Sequence, residues 1–199
     1  MIKEKESFLK ITTIITVAII TIATILSLII NNKGIIIYNL IIMLILISIV
    51  RKYHKKVYLQ RTSIVLLTVI AIMNIIGIGF YIENTRLVDL YLIKRIIRLD
   101  QLTYLISGAA LSISAFILLN KKIKNPENKK TIISFISLGI VLGIIGLWEI
   151  LQLMEVLFLN QSQNIGDYLN NFTDIFFGFL GAFMGNIIII IKQRKNGKR

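Results

Sequence analysis

The chain has 199 residues, 56% of them hydrophobic, a mean hydropathy of +0.80, and 23 Lys and Arg against 10 Asp and Glu for a net charge of +13. Soluble domains run nearer about 45–50% apolar, and the excess here lies in long unbroken runs, which excludes an ordinary water-soluble fold. There is no cysteine, so disulfides, thiol chemistry and thiolate metal sites are excluded too.

In chain order, Lys3, Lys5 and Lys10 introduce an apolar run over 8–30. It is longer than a signal-peptide core and no A-x-A-like cleavage site follows, so it is expected to be an uncleaved first helix. Further spans are expected at 34–50, 63–82, 101–119, 132–158 and 172–191. Crossing a bilayer takes roughly 20 mostly apolar residues. The runs are continuous rather than alternating, and lipid tolerates no bare backbone groups, so each span should be helical. The expected fold is an all-α, polytopic transmembrane bundle of about six helices, a single membrane domain over 1–199. His54, among Lys52, Lys55 and Lys56, reads as a solvated loop residue, and Asn74 as an interhelical hydrogen bond. Over 84–99, Leu87, Leu90, Tyr91 and Ile97 interleave with Arg86, Asp89, Lys94, Arg95 and Arg98 at helical spacing, which predicts an amphipathic helix lying on the outer surface. Gly139, Gly143 and Gly146 in the fifth span, and Gly178, Gly181 and Gly185 in the sixth, are small-residue stripes expected to pack those two helices together.

The N-terminus, the 51–61 and 120–131 loops and the tail hold 18 of the 23 Lys and Arg; Lys33, Arg86, Lys94, Arg95 and Arg98 fall on the other side. Basic residues accumulate on the cytoplasmic side, so both termini are expected there, in a cell membrane. The positive charge is assigned to topology and to anionic lipid headgroups, which makes membrane lipids the expected partners; nucleic acid is not expected.

Ionisable residues inside spans are costly and face the bundle interior. In the fourth span Asp100, Tyr104 and Gly108 share one face at steps of four, with Ser107 beside them. Trp148-Glu149 stands in the fifth span, and Gln152 and Glu155 follow Glu149 at steps of three. In the sixth, Asn170 and Asp174 are four apart. Counting about 1.5 Å per residue, Asp100, Glu149 and Asp174 all come to the outer boundary of the hydrocarbon core. The candidate ligand-binding residues are Arg98, Asp100, Tyr104, Glu149, Gln152, Asn170 and Asp174, with Arg98 as the charge partner. No cofactor and no metal site is expected.

The same residues carry a resemblance. Asp100-x3-Tyr104-x3-Gly108 resembles the D-x-x-x-H-x-x-x-G pattern of VanZ-like and YjdF-like bacterial membrane proteins, Trp148-Glu149 their W-E, and Asn170-x3-Asp174-x3-Gly178-x2-Gly181 their closing D-x3-D-x3-(N/D)-x2-G element. Tyr104 stands where those proteins usually have His, and Asn170 where they often have Asp. The resemblance covers about residues 91–185 and implies a role in the cell envelope or with lipid-linked molecules. Three functions are open at this point. The first is a non-enzymatic protein binding a lipid, a lipid-linked envelope precursor or a related amphiphile. The second is a membrane enzyme acting on lipid headgroups with paired carboxylates. The third is a small transporter, although no internal repeat is evident.

Overall fold

A computed structural model describes residues 14, 18, 21–22, 24–25, 65–66, 69–70, 72–73, 76–77, 81–82, 85–93, 97–123, 129–159 and 168–196. The expected second span at 34–50, His54 and the 51–61 loop, Asn74, and most of the 159–171 loop lie outside the described residues. The chain divides into two compact units, Met1–Asp100 and Gln101–Arg199, described here one at a time.

In the first unit, the described positions in 14–25 and 65–77 are helical, within the first and third expected spans. The third span ends earlier than expected, because Tyr81 and Ile82 are extended. They form strand β1 (Tyr81–Ile82), antiparallel to β2 (Thr85–Arg86) in the register Tyr81↔Arg86 and Ile82↔Thr85. A 3-10 turn over Leu87–Asp89 follows. Then β3 (Tyr91–Ile93) pairs antiparallel with β4 (Ile97–Arg98), with an irregularity between the pairs Tyr91↔Arg98 and Ile93↔Ile97. The amphipathic helix expected at 84–99 is therefore not formed. Thr85, Tyr91, Ile93 and Ile97 are β-branched or aromatic, types that lose side-chain freedom in a helix and fit a pleated strand. The charges also serve a local end: Arg86 grips Asp89 through two bonds, Nε to Oδ2 at 2.6 Å and Nη2 to Oδ1 at 3.2 Å, across the 3-10 turn.

The second unit is built on three helices, α1 (Leu99–Lys122, from Gln101 on), α2 (Lys129–Leu159) and α3 (Tyr168–Asn196). Each contains an expected span and extends it by one to five residues at either end. Asp100 in the first turn of α1 and Lys121 and Lys122 in its last turn complement the helix dipole. All three helices are long and apolar enough to cross a membrane.

Contacts set the helix directions. On α1 and α3, Gln101 meets Thr173, Leu105 meets Gly181 and Ala109 meets Gly185, so the two run parallel. On α2 and α3, Ile145 covers Gly178 and Ser137 meets Asn186, so these run antiparallel. The tightest approach is between α1 and α3. A Cβ on Gly181 would strike the Leu105 carbonyl, one on Gly108 the Gly178 carbonyl, and one on Gly185 would come within 2.5 Å of the Ala109 carbonyl. The expected role of the glycines thus needs correcting. Among the described residues nothing lies within 4 Å of a Cβ placed on Gly139, Gly143 or Gly146, so the α2 stripe is not the contact with α3. A stripe of small residues permits close approach, but the partner depends on which faces the remaining side chains bury.

The core has two layers. Tyr104, Val141, Ile145 and Ala182 form one, and Phe116, Ile117, Ile133 and Ile189 the other. The exterior is more apolar than the interior. Phe135, Leu147 and Phe158 are 71%, 63% and 75% exposed, whereas Gln101, Ser112, Ser137, Asp174 and Asn186 are buried. In water that distribution would be unfavourable; in lipid, large apolar residues face the solvent and small or polar ones join the helices.

Candidate functional site

One end of the three-helix unit gathers the carboxylates. Tyr104 lies five residues into α1, Asp174 six into α3, and Glu149 twenty beyond the start of α2. At 1.5 Å per residue these are about 8, 9 and 30 Å along their helices. Because α2 runs opposite to the other two, all three residues come to the same end. The opposite end carries Lys121, Lys122, Lys129, Lys130 and Lys192.

The Tyr104 phenol donates a hydrogen bond of 2.5 Å to Glu149 Oε1. It ties α1 to α2 across the bundle. Glu149 Oε2 is buried and has no protein hydrogen-bond partner among the described residues. The Tyr104 ring also faces α3: its Cδ1 lies 3.8 Å from where a Gly178 Cβ would be. Asp174 is one turn before Gly178 on that helix and only 2% exposed. Gly178 is small because Ile145, one turn below Glu149, fills the space over it. Glycine here lets the Tyr104 ring and the Ile145 side chain meet beneath Asp174.

A second set of bonds ties α1 to α3 at this end. Gln101 Nε2 donates to Thr173 Oγ1 at 3.2 Å, and Thr173 Oγ1 donates to the Asn170 carbonyl at 2.7 Å. Asn170 Nδ2 in turn donates to Asp174 Oδ2 at 3.1 Å. Linked bonds of this kind polarise one another and hold their members in one arrangement.

Of the expected site residues, Tyr104 and Glu149 are joined directly, and Asn170 is joined to Asp174. Gln152 lies one turn beyond Glu149 on α2 and is half-buried. Asp100 is one turn ahead of Tyr104 in the first turn of α1, and Arg98 is in β4; both are half-buried and belong to the Met1–Asp100 unit. Gln101 and Thr173 were not among the expected residues. Each sits one position from a candidate, Asp100 or Asp174, and the face at steps of four hid them. Among the described residues, no group of three or more His, Cys, Asp or Glu could hold a metal.

Chemically, this end of the bundle is rich in acceptors. The carboxylates of Glu149 and Asp174 accept from the Tyr104 phenol and the Asn170 side-chain amide, and the Gln101 amide donates to Thr173. The described lysines of the three helices are all at the far end. Such a site suits a ligand that brings hydrogen-bond donors. No curated protein and no solved structure matches the chain. A family model described as a predicted membrane protein (DUF2238) matches residues 11–195, nearly the whole length. The apolar exterior of the helices and this end-to-end match lead to the same conclusion: the chain belongs to the DUF2238 family of predicted membrane proteins.

Proposed function

We propose that this protein is a multi-pass protein of the cell membrane, without catalytic activity, that binds a lipid, a lipid-linked envelope precursor or a related amphiphile through the carboxylate end of α1, α2 and α3. The observation that supports the reading is the Tyr104–Glu149 hydrogen bond at the same end of the three helices as buried Asp174. Sidedness follows from charge. The lysine ends of these helices belong on the cytoplasmic side, so the carboxylate end opens to the outer leaflet. About six spans with both termini inside complete the topology. The likeness of Asp100-x3-Tyr104-x3-Gly108, Trp148-Glu149 and Asn170-x3-Asp174 to VanZ-like and YjdF-like proteins supports an envelope role.

Native mass spectrometry of the gently solubilised protein tests the reading. The wild type should retain a bound lipid or precursor, and Glu149→Gln and Asp174→Asn should lose it while reaching the membrane in wild-type amounts, because each removes charge at nearly constant volume. An empty wild type, or variants whose only defect is low abundance, would mean the cluster is structural. Turnover of the retained lipid by the purified protein would point instead to an enzyme.

A further inference from the structure

Below the carboxylates the same three helices bury a second polar level that the proposed site does not use. Ser112 on α1, Ser137 on α2 and Asn186 on α3 are 0%, 0% and 3% exposed. Ser137 Oγ lies 2.9 Å from Asn186 Oδ1, to which it donates, and Asn186 Nδ2 donates to the Ser134 carbonyl at 3.2 Å, so α2 and α3 are clamped here. Ser112 reaches the same level from the third side. Gly108 packs on Ala182, with its Cβ position 3.1 Å from the Ala182 nitrogen. One turn on, along parallel helices, Ser112 follows Gly108 and Asn186 follows Ala182, which brings Ser112 opposite Asn186. An apolar layer of Val141, Ile145 and Ala182 separates this level from Glu149 and Asp174.

The level holds more hydrogen-bonding groups than the protein satisfies. The hydroxyl oxygens of Ser112 and Ser134 are both buried and have no protein hydrogen-bond partner among the described residues. A helical serine ordinarily returns its hydroxyl to the carbonyl one turn back, and neither does so. A bare hydroxyl in such surroundings is unfavourable. The occupant must both donate and accept, since hydroxyls do both and Asn186 offers an amide of each kind. A bare cation does not fit: no acidic residue stands within seven positions of Ser112, Ser137 or Asn186, and neutral groups alone poorly offset the desolvation of a charge. Buried waters typically make about three hydrogen bonds to such groups. We propose that Ser112, Ser134 and Asn186 hold an ordered internal water that joins α1 to the α2–α3 clamp, separate from the site at the carboxylate end.

Two measurements on the full chain in detergent micelles test this. The first is the thermal unfolding of Ser112→Ala. If a water bridges the hydroxyl, its loss leaves that water and Asn186 short of a partner, and the melting temperature falls by a few degrees, although alanine is the better helix former. If the hydroxyl is dry or turns back to its own helix, the melting temperature stays level or rises. The second is NMR of protein labelled with 15N at asparagine. The Asn186 side-chain amide, assigned by its loss in Asn186→Gln, should show a cross-peak to a bound water in the wild type. An unchanged or raised melting temperature for Ser112→Ala, or an Asn186 amide without a water cross-peak, overturns the proposal.

Discussion

Tyr104 and Glu149 are 45 residues apart in the chain and 2.5 Å apart in the structure. A side-chain hydrogen bond of this kind contributes about 0.5–1.5 kcal/mol net. Tyr104→Phe and Glu149→Ala each remove it, so their effects on unfolding free energy should not add. A double-mutant cycle in detergent should give a coupling of at least about 0.5 kcal/mol, the range seen for residues in contact; strict additivity would show that the bond is not formed. Tyr104 was legible as a candidate because it shares a face with Asp100 and Gly108. Its partner was not. Nothing in a one-dimensional pattern says that α2 presents Glu149, rather than Gln152, to the phenol. Gln101 and Thr173 were overlooked for a related reason: neutral polar residues near a helix end are common, and only the packing of α1 on α3 makes these two meet.

At the scale of the helices, glycines of similar appearance have opposite surroundings. A Cβ on Gly181 would strike the backbone carbonyl of Leu105, which cannot step aside without moving α1, whereas no described residue lies near a Cβ on Gly143. Gly181→Ala should therefore lower the melting temperature sharply, at the upper end of the roughly 1–3 kcal/mol typical of overpacking, and Gly143→Ala should leave it level or raise it through better helix propensity. Thermal unfolding of the two variants side by side checks this, and equal tolerance would remove the close contact between α1 and α3. The segment over 84–99 makes the complementary point about strands. Its three- and four-residue spacings suited a helix, but the pattern contained β-branched and aromatic residues that also suit paired strands, and Tyr91↔Arg98 and Ile93↔Ile97 pair.

Across the molecule, charge and hydrophobicity are arranged along two different directions. Around the three helices, apolar side chains face outward and polar ones inward; along them, carboxylates gather at one end and lysines at the other. The first arrangement suits lipid, and the second is the basis of the orientation proposed above. The cysteine-free chain allows a direct test of orientation. Single cysteines replacing Asn125, between α1 and α2, and Asn164, between α2 and α3, should differ towards an impermeant thiol reagent on intact cells. Asn164→Cys should label and Asn125→Cys should not. The reverse would turn the carboxylate end towards the cytoplasm.

By itself the sequence determined the membrane environment, the helical state of the 101–119, 132–158 and 172–191 runs to within a few residues, and the gathering of Glu149 and Asp174 at one end. These follow from local quantities: apolar length against bilayer thickness, and rise per residue against position in the chain. Only the tertiary structure decided which faces meet. Rotation of a helix about its own axis leaves its hydropathy and length unchanged. Whether Gly143 or Gly181 takes a neighbour, whether Glu149 reaches Tyr104, and whether Ser137 finds Asn186 depend on how three sets of side chains interlock at once. That is a many-body packing condition, and no single stretch of the chain contains it.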